Sequence, residues 1–397
     1  MMREILGLVL AVMMFSPVFA QRNIGPVDVT AEKNIIPVRV SANTPELNRL
    51  AIQAFGSHGR YRVTQTGYAY AITFNASGAT QVLLNITKGS AGTAFYSQTI
   101  TGENAREALL RAADVAVERT NGIGLKGFFA SRIAFIGERT GIQEVYTGDL
   151  FFGQVRQITH DRAHAMTPRW SPKGTRLLYT TFFKTGFPDL YELDLENKTQ
   201  KAFMTFKGTN SGARFSPAGD KVAMILSGIG NPEVYVSNAE GRRVNRLTHT
   251  DAAEASPCFS PDGSQIVFTS DAAGGPQLYV VSVAGGTMQR LPTKISGFCA
   301  EPDWSTAAPN KIAFTTKIGS SYQIAVYDLN ARSSVQVSHA SFDGIEPCWL
   351  ADGRHLLYTA RDRSTSRIYI LDTETGKSVP MSPADLGVVK QASVFKP

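Results

Sequence analysis

Histidine is the residue type in this chain best suited to proton transfer or metal binding, and six are present: His58, His160, His164, His249, His339 and His355. His160 and His164 are four residues apart, but Asp161 stands where the H-E-x-x-H zinc motif needs a glutamate. Because the pair falls between two predicted strands, a solvated loop is a better interpretation than a zinc site. We therefore expect no metal on the histidines.

Two further catalytic signatures are incomplete. No G-x-S-x-G segment supplies the nucleophile of an α/β-hydrolase. Gly376-Lys377-Ser378 resembles the end of a phosphate-binding loop, but Leu371 stands where that motif needs a glycine. The sequence therefore predicts that the protein is not an enzyme and needs no cofactor.

Polar residues recur shortly before a repeated aromatic motif. They are His164, Asn210, Glu254, Glu301 and Glu346, with Asp385 in the sixth position. One interpretation is ordinary loop polarity, and another is a polar site that sets the register of a partner protein. The carboxylates of Glu254, Glu301 and Glu346 could also hold a cation, although the sequence does not fix their separation. We predict that the first five residues bind a partner.

These positions belong to a repeat that begins at Ser131. An aromatic residue precedes a turn in five units, at intervals of 45, 44, 45 and 45 residues: Trp170, Phe215, Phe259, Trp304 and Trp349. A further step of 46 residues reaches Phe395. Each unit has room for four short strands, and six such units predict a six-bladed β-propeller.

The first and last units are incomplete in complementary ways. Residues 131–159 hold the second, third and fourth strands, whereas residues 391–397 hold only a first strand. Pairing of these two segments would close the ring and remove both exposed sheet edges, so the predicted propeller spans 131–397. The loop before each first strand then lies on the same face as the loop between the second and third strands. This arrangement points the five polar residues at the axial mouth.

Residues 35–125 have a different pattern. Five segments alternate apolar and polar residues as half-buried strands do, and two segments have helical spacing. Thr44-Pro45-Glu46 combines a hydroxyl cap, a proline at the first helical position and a carboxylate in the first turn. The sequence therefore predicts a small α+β domain before the propeller, and a mainly β fold class for the whole chain.

The first 34 residues resemble an export signal followed by an arm. Arg3, an apolar stretch at 6–15 and the small residue Ala20 are typical of a signal peptide at 1–20. Residues 21–34 have little pattern, and we interpret them as a mobile N-terminal arm. A short strand-like alternation within the arm marks its predicted partner-binding residues, which are Val27, Asp28, Val29 and Thr30.

Composition excludes several other classes of protein. The 397 residues are 43% hydrophobic and only 18% charged, which excludes intrinsic disorder. The net charge of +7 comes from scattered basic residues, so no nucleic-acid-binding tail is indicated. The mature protein is expected to be a soluble monomer. Its three cysteines, Cys258, Cys299 and Cys348, are expected to be buried as small apolar residues, and a bond from Cys299 to one of the other two is the alternative.

The repeat as a whole carries a resemblance. Its consensus of W/F-S-P-D-G, an apolar strand, L-Y-x-x-D and R-L-T resembles the TolB family of periplasmic proteins, as at Phe259-Ser260-Pro261-Asp262-Gly263. The order of export signal, small α+β domain and six blades matches that family over the whole chain. One segment departs from it: Thr209-Asn210-Ser211-Gly212-Ala213 keeps the Asn of the family's H-N-G-A-P but not the His.

The resemblance implies a role in the periplasm. A TolB-family protein of the Tol–Pal system would bind a Pal-like lipoprotein through its propeller and a TolA-like protein through its N-terminal arm. It would support outer-membrane integrity and constriction during cell division, and it would associate with membranes only through these partners. The alternative is an exported propeller with a small-ligand or hydrolytic site in its axial channel.

Overall fold

A five-stranded sheet and two helices come first along the chain. The computed structural model describes residues 35–397, so the predicted signal peptide and the arm with Val27–Thr30 lie outside the described residues. The elements are β1 (Ile36–Ala42), α1 (Pro45–Ser57), β2 (Tyr61–Val63), β3 (Tyr70–Ala76), β4 (Gln81–Lys88), β5 (Thr93–Thr101) and α2 (Ala105–Thr120). The sheet order is β2-β1-β3-β4-β5, with β1 parallel to both of its neighbours. The predicted α+β composition is confirmed.

Both helices begin where the sequence places a capping side chain. Thr44 Oγ1 accepts a hydrogen bond from the Leu47 amide at 3.3 Å, and Pro45 occupies the first helical position. Asn104 Oδ1 accepts from the Glu107 amide at 3.0 Å and starts α2 in the same way. Each cap satisfies an amide that the helix itself leaves unpaired, which is why the helices start at these residues.

Six four-stranded antiparallel sheets follow as the blades of a propeller. Blade 1 contains β6 (Arg132–Gly137), β7 (Glu144–Asp149) and β8 (Arg156–Gln157). Blade 2 contains β9 (Ala165–Trp170), β10 (Arg176–Thr181), β11 (Asp189–Asp194) and β12 (Thr199–Met204). Blade 3 contains β13 (Asn210–Phe215), β14 (Lys221–Leu226), β15 (Glu233–Asn238) and β16 (Asn245–Arg246).

The remaining blades have the same plan. Blade 4 contains β17 (Glu254–Phe259), β18 (Gln265–Ser270), β19 (Gln277–Ser282) and β20 (Gln289–Arg290). Blade 5 contains β21 (Cys299–Trp304), β22 (Lys311–Ile318), β23 (Ser321–Asp328) and β24 (Ser333–Gln336). Blade 6 contains β25 (Asp343–Trp349), β26 (His355–Arg361), β27 (Ser366–Asp372) and β28 (Ser378–Pro380), and the last strand is β29 (Val389–Phe395). The first strands of successive blades contact one another in a closed cycle around the axis.

Strand β29 pairs antiparallel with β6 and supplies the first strand of blade 1. Val394 faces Ile133 in this pair, just as Trp304 faces Ile312 in blade 5. The structural equivalent of the repeated aromatic is therefore Val394, and the sequence assignment of Phe395 to that position was wrong by one residue. With Val394 in that position, the last interval in the repeat is 45 residues, in line with the others. Phe395 packs beside Trp170, with ring centroids 5.7 Å apart.

The hydroxyl of the R-L-T motif has a specific role in the blade. Thr248 Oγ1 accepts a hydrogen bond from the Val234 amide at 2.9 Å, and Thr159 Oγ1 accepts from the Val145 amide at 2.8 Å. Each hydroxyl lies just beyond a very short fourth strand and pairs a third-strand amide. Because a buried amide without a partner is costly, this hydroxyl lets the fourth strand be short.

The α+β domain packs on the face of the propeller that carries the turns between first and second strands. The Gly59 amide donates to His355 Nε2 at 3.1 Å, and Lys377 Nζ donates to the Gly56 carbonyl at 2.7 Å. Arg106 forms an ion pair with Asp149 at 2.6 Å on blade 1. The opposite face carries the loops that lead into the first strands, and we call it the lead-in face. No helix among residues 35–397 is both long enough and apolar enough to span a membrane.

Candidate protein-binding face and axial channel

Each first strand contains one residue whose backbone is left-handed. The six residues have φ between 50° and 65° and form what we call the axial ring: Thr167, Gly212, Ser256, Glu301, Glu346 and Gln391. A register shift spans this position in every blade, so each residue is the first of the two unpaired residues of a β-bulge. A bulge breaks the strand alternation and re-aims its side chain. A left-handed backbone at five residues other than glycine costs about 1 kcal/mol each, which the surrounding contacts must offset.

Hydrogen bonds from one blade to the next hold the axial ring. The amide of Glu346 donates to Thr315 Oγ1 at 3.1 Å, and the amide of Gln391 donates to Thr359 Oγ1 at 3.0 Å. The amide of Glu301 donates to Thr269 Oγ1 at 3.1 Å in the same manner. In each case the threonine lies on the second strand of the preceding blade, so these contacts tie neighbouring blades together.

The side chains of the ring continue this connection along one arc of the channel. Glu301 Oε2 accepts a hydrogen bond from the Glu346 amide at 2.9 Å. Glu346 Oε1 accepts from Gln391 Nε2 at 2.8 Å, and Gln391 Oε1 accepts from the Thr167 amide at 2.9 Å. Burial, with the nearby Glu346 carboxylate, raises the pKa of Glu301 to about 7. This arc is a fixed set of acceptors at the axial mouth.

A second ring of side chains lies two residues further along the same strands. Its members, called the lower ring, are Arg169, Arg214, Cys258, Asp303, Cys348 and Ser393. Arg214 Nη1 contacts both Cys258 Sγ and Asp303 Oδ1, and Asp303 Oδ2 accepts from the Trp349 amide at 2.7 Å. Burial, with the charge of Arg214, lowers the pKa of Arg169 to about 10. Two guanidinium groups and one carboxylate give this level of the channel a net positive charge.

The six polar residues predicted to lie in the loops before the first strands have different environments. His164 is exposed in the loop before β9, and Asp385 is exposed in a 3₁₀ turn, Ala384–Leu386. Asn210 and Glu254 are the first residues of β13 and β17 and are buried. Glu301 and Glu346 lie inside β21 and β25, on the axial ring. The expectation that all six residues lie in loops was therefore wrong for Asn210, Glu254, Glu301 and Glu346, because the strands extend further than the motif suggests.

Asn210 holds a loop of the lead-in face in position. Its Nδ2 donates to Asp189 Oδ1 at 3.1 Å and to the Phe206 carbonyl at 2.7 Å, and its Oδ1 accepts from the Phe206 amide at 3.0 Å. These bonds join blades 2 and 3 and fix the loop at 205–209. The buried Asn210 side chain therefore acts on the shape of the surface.

Glu254 is one member of a buried pair of carboxyl groups between blades 3 and 4. Glu233 Oε1 accepts from Arg246 Nη2 at 2.6 Å, and Glu254 Oε1 accepts from Ser270 Oγ at 2.9 Å. The other oxygens, Glu233 Oε2 and Glu254 Oε2, are buried and receive no hydrogen bond from a donor in the described structure. Burial, with the Glu233 carboxylate, raises the pKa of Glu254 to about 8. Burial and the neighbouring carboxylate thus both favour the protonated form of Glu254.

The hypothesis of a cation held by Glu254, Glu301 and Glu346 fails on geometry. Among residues 35–397, the group of three metal-type side chains with ligand atoms within 4.8 Å of one another is His58, Asp352 and His355. The three glutamates do not converge in this way. Glu254 is bound between blades 3 and 4, whereas Glu301 and Glu346 are bound along the ring.

No motif in the sequence points to the histidine cluster at the domain interface, which consists of His58, Asp352 and His355. His355 Nδ1 lies 2.6 Å from Asp352 Oδ2, and its Nε2 accepts from the Gly59 amide. Both nitrogens of His355 are thus already paired, so a metal ion there would displace one of these bonds. His58 stacks on Phe128 with ring centroids 5.3 Å apart. The cluster is best described as a packed contact between the α+β domain and blade 6.

The family assignment follows from the repeat. The TolB beta propeller domain matches residues 120–393, which is more than half of the chain. The chain belongs to the TolB family.

Two curated relatives in the family cover part of the chain. The chain is 31% identical over 165 residues to the Protein TolB homolog of Chlorobaculum tepidum, covering 40% of this chain and 36% of that protein. It is 34% identical over 127 residues to the Tol-Pal system protein TolB of Desulfosudis oleivorans, covering 32% and 28%. The matched part spans about a third of the length of these relatives.

Solved structures extend the likeness in fold to nearly the whole chain. The crystal structure of TolB from Acinetobacter baumannii superposes with a TM-score of 0.79 at 23% identity, covering 91% of this chain and 96% of that one. A putative TolB from Agrobacterium tumefaciens superposes with a TM-score of 0.52 at 18% identity, covering 67% and 99%. At such identities the comparison shows the fold alone.

Proposed function

We propose that this protein is a periplasmic, non-enzymatic scaffold of the Tol-Pal system. In this proposal the lead-in face binds a Pal-like lipoprotein, and the arm at 21–34, with Val27, Asp28, Val29 and Thr30, binds a TolA-like protein. The protein would thereby support outer-membrane integrity and constriction during cell division. Family membership and the name of the Desulfosudis relative support the system.

The arrangement of the two domains is the observation that carries the proposal. The α+β domain packs on the face that carries the turns between first and second strands, which we call the turn face. The opposite, lead-in face presents a mouth whose backbone is fixed by hydrogen bonds between neighbouring blades. A preformed surface loses little conformational entropy when a folded partner docks. The carboxylates of Glu301 and Glu346 accept hydrogen bonds from within the propeller, so in this proposal they act by fixing the shape of the mouth.

Calorimetric titration with the soluble domain of the Pal-like lipoprotein from the same genome tests the proposal. Protein lacking residues 1–20 should bind it saturably. Replacing Glu301 and Glu346 together with glutamine should weaken binding by on the order of 2 kcal/mol if either residue is a hot spot. Asp262→Asn, on the turn face, is the control. Absence of binding by the unmodified protein would contradict the proposal.

A second candidate is a small-ligand site in the axial channel. The lower ring favours an anionic ligand, since Arg169 and Arg214 face a single carboxylate, Asp303. Melting-temperature measurements with inorganic phosphate and with small dicarboxylates test this candidate. A saturable stabilisation that disappears in an Arg169→Gln variant would support a channel ligand.

A further inference from the structure

Exposed apolar side chains are concentrated on one sector of the lead-in face. Eight large apolar residues in the described part of the chain are more than one third exposed. Four of them lie on loops of blades 2 and 3, with exposed fractions of 38%, 66%, 53% and 77%: Phe183, Phe187, Phe206 and Ile229. Such a concentration beside a binding mouth is typical of a protein contact surface.

The three loops that carry these side chains are bonded to one another. The Asn210 amide donates to the Pro188 carbonyl at 2.8 Å, and Asn210 Oδ1 accepts from the Phe206 amide. The Thr209 amide donates to Ser227 Oγ at 2.7 Å, which links the loop at 205–209 to the loop at 227–232. The apolar side chains therefore stand on loops that are already held in place, at 182–188, 205–209 and 227–232, which we call the platform. This order lowers the entropic cost of docking.

The charge of this sector is positive. Lys184 and Lys207 are exposed on the same loops, and segments 182–188, 205–209 and 227–232 contain no acidic residue. The carboxylates that directly follow two of these segments, Asp189 and Glu233, are both buried, and Asp189 is bound to Asn210 and Thr185. An apolar centre flanked by two ammonium groups is complementary to an apolar segment flanked by carboxylates.

The docking loops adjoin the axial ring along the chain. Asn210, which holds the loop at 205–209, is two residues before Gly212, the axial-ring residue of blade 3, and Arg214 of the lower ring follows two residues later on the same strand. Here Arg169 and Arg214 supply further positive charge.

We propose that Phe183, Phe187, Phe206 and Ile229, together with Lys184 and Lys207, form a docking surface for a folded protein that presents apolar side chains rimmed by carboxylates. The proposal rests on the proposed function, and it identifies the part of the lead-in face that holds the partner. A protein fits better than an anionic membrane, because exposed Asp251 and Asp271 on adjoining loops would oppose a uniformly negative surface.

Calorimetric titration with the Pal-like soluble domain tests the docking surface. The triple variant Phe187→Ser, Phe206→Ser, Ile229→Ser should bind at least tenfold more weakly than the unmodified protein. Val335→Ser removes an apolar side chain that is 63% exposed on β24 and is the matched control, expected to bind within twofold. The double variant Lys184→Glu, Lys207→Glu should weaken binding and reduce its dependence on salt.

The outcomes separate the proposals. Binding by the unmodified protein that the triple variant retains in full would overturn the docking surface while leaving the proposed function intact. Absence of binding by the unmodified protein would overturn both. A sedimentation assay with phosphatidylglycerol vesicles provides the last comparison: vesicle binding that the triple variant loses, without any effect on the protein titration, would reassign the platform to a membrane. Melting curves of all variants establish that they are folded.

Discussion

The imidazole rings of His58 and His355 meet edge to face with centroids 4.2 Å apart, and they join the α+β domain to blade 6. His58 Nε2 is buried and has no hydrogen-bond partner in the described structure. Burial, followed by the proximity of His355, Arg354, Lys377 and Arg60, lowers the pKa of His58 well below its usual value. The folded protein therefore holds His58 neutral where the unfolded chain would protonate it.

Acid should weaken the protein through this histidine. Because the pKa of His58 is lowered on folding, its contribution to stability is present above the unfolded pKa of about 6.5 and is lost as the pH falls below it. The melting temperature should fall more steeply between pH 7.5 and pH 5.5 in the unmodified protein than in His58→Phe. Equal slopes in the two proteins would show that His58 does not titrate on unfolding.

The carboxyl pair between blades 3 and 4 should have the opposite pH dependence. The pKa of Glu254 is raised on folding, to about 8, so its contribution is present at low pH and is lost as the pH rises through that value. Glu254→Gln keeps a donor toward Glu233 at every pH. Its melting temperature should exceed that of the unmodified protein at pH 9 by more than at pH 6. Asp262→Asn serves as the control, and a constant difference would contradict a shared proton.

Removal of the Asn210 amide should destabilise the propeller. Asn210→Ala leaves the buried Asp189 carboxylate and the Phe206 amide without one of their partners, and we expect a loss of about 2 kcal/mol in the free energy of unfolding. Urea denaturation measures this loss. Asn197→Ala, at an exposed turn, should stay within about 0.5 kcal/mol. Equal free energies of unfolding for the two variants would show that the Asn210 hydrogen bonds do not stabilise the propeller.

Deletion of residues 391–397 should open the ring. The deletion removes most of β29, exposes the edge of β6, and breaks the bonds from Gln391 to Glu346 and Thr167. A lower melting temperature and concentration-dependent aggregation are expected from calorimetry and light scattering. Deletion of Pro397 alone is the control, since this residue lies outside the strand. An unchanged melting curve after the longer deletion would be incompatible with a closed ring.

Deletion of the arm should separate binding from stability. Protein that starts at residue 35 is expected to lose binding to the C-terminal domain of a TolA-like protein. Its free energy of unfolding should remain within about 1 kcal/mol of that of protein starting at residue 21. Calorimetric titration and urea denaturation measure the two quantities. Undiminished binding heat would show that the arm is not the contact.

The repeat period in the sequence predicts the propeller because each blade repeats the same local features. These are an aromatic residue before a turn, a buried strand and a hydroxyl that pairs a third-strand amide. The same regularity could have revealed the axial ring. A residue three positions before the aromatic is followed by proline in four blades, as at Glu301-Pro302 and Glu346-Pro347. Proline suits a bulge, where no ladder amide is needed. The left-handed backbone itself depends on bonds from the neighbouring blade.

The remaining features are tertiary and have no local signature. Glu233 and Glu254 are 21 residues apart on different blades, and His58 and His355 are 297 residues apart. Their effects arise from desolvation and from partners that only the fold brings near. The same limit explains the assignment of Phe395, since the register of β29 is set by its bulge at Gln391.

The pairing of β29 with β6 also has a consequence for how the chain folds. Val394 and Ile133 are 261 residues apart, so this pairing closes a loop that contains the other five blades. Residues 389–395 are synthesised after all of those blades, and β6 must wait for them with one edge unpaired. Non-local pairing of this kind makes folding slow, because the entropy of the long loop is lost before the contacts form. Blade 1 is therefore expected to be the last to form, and the unpaired edge of β6 is exposed to pairing with other chains until residues 389–395 arrive.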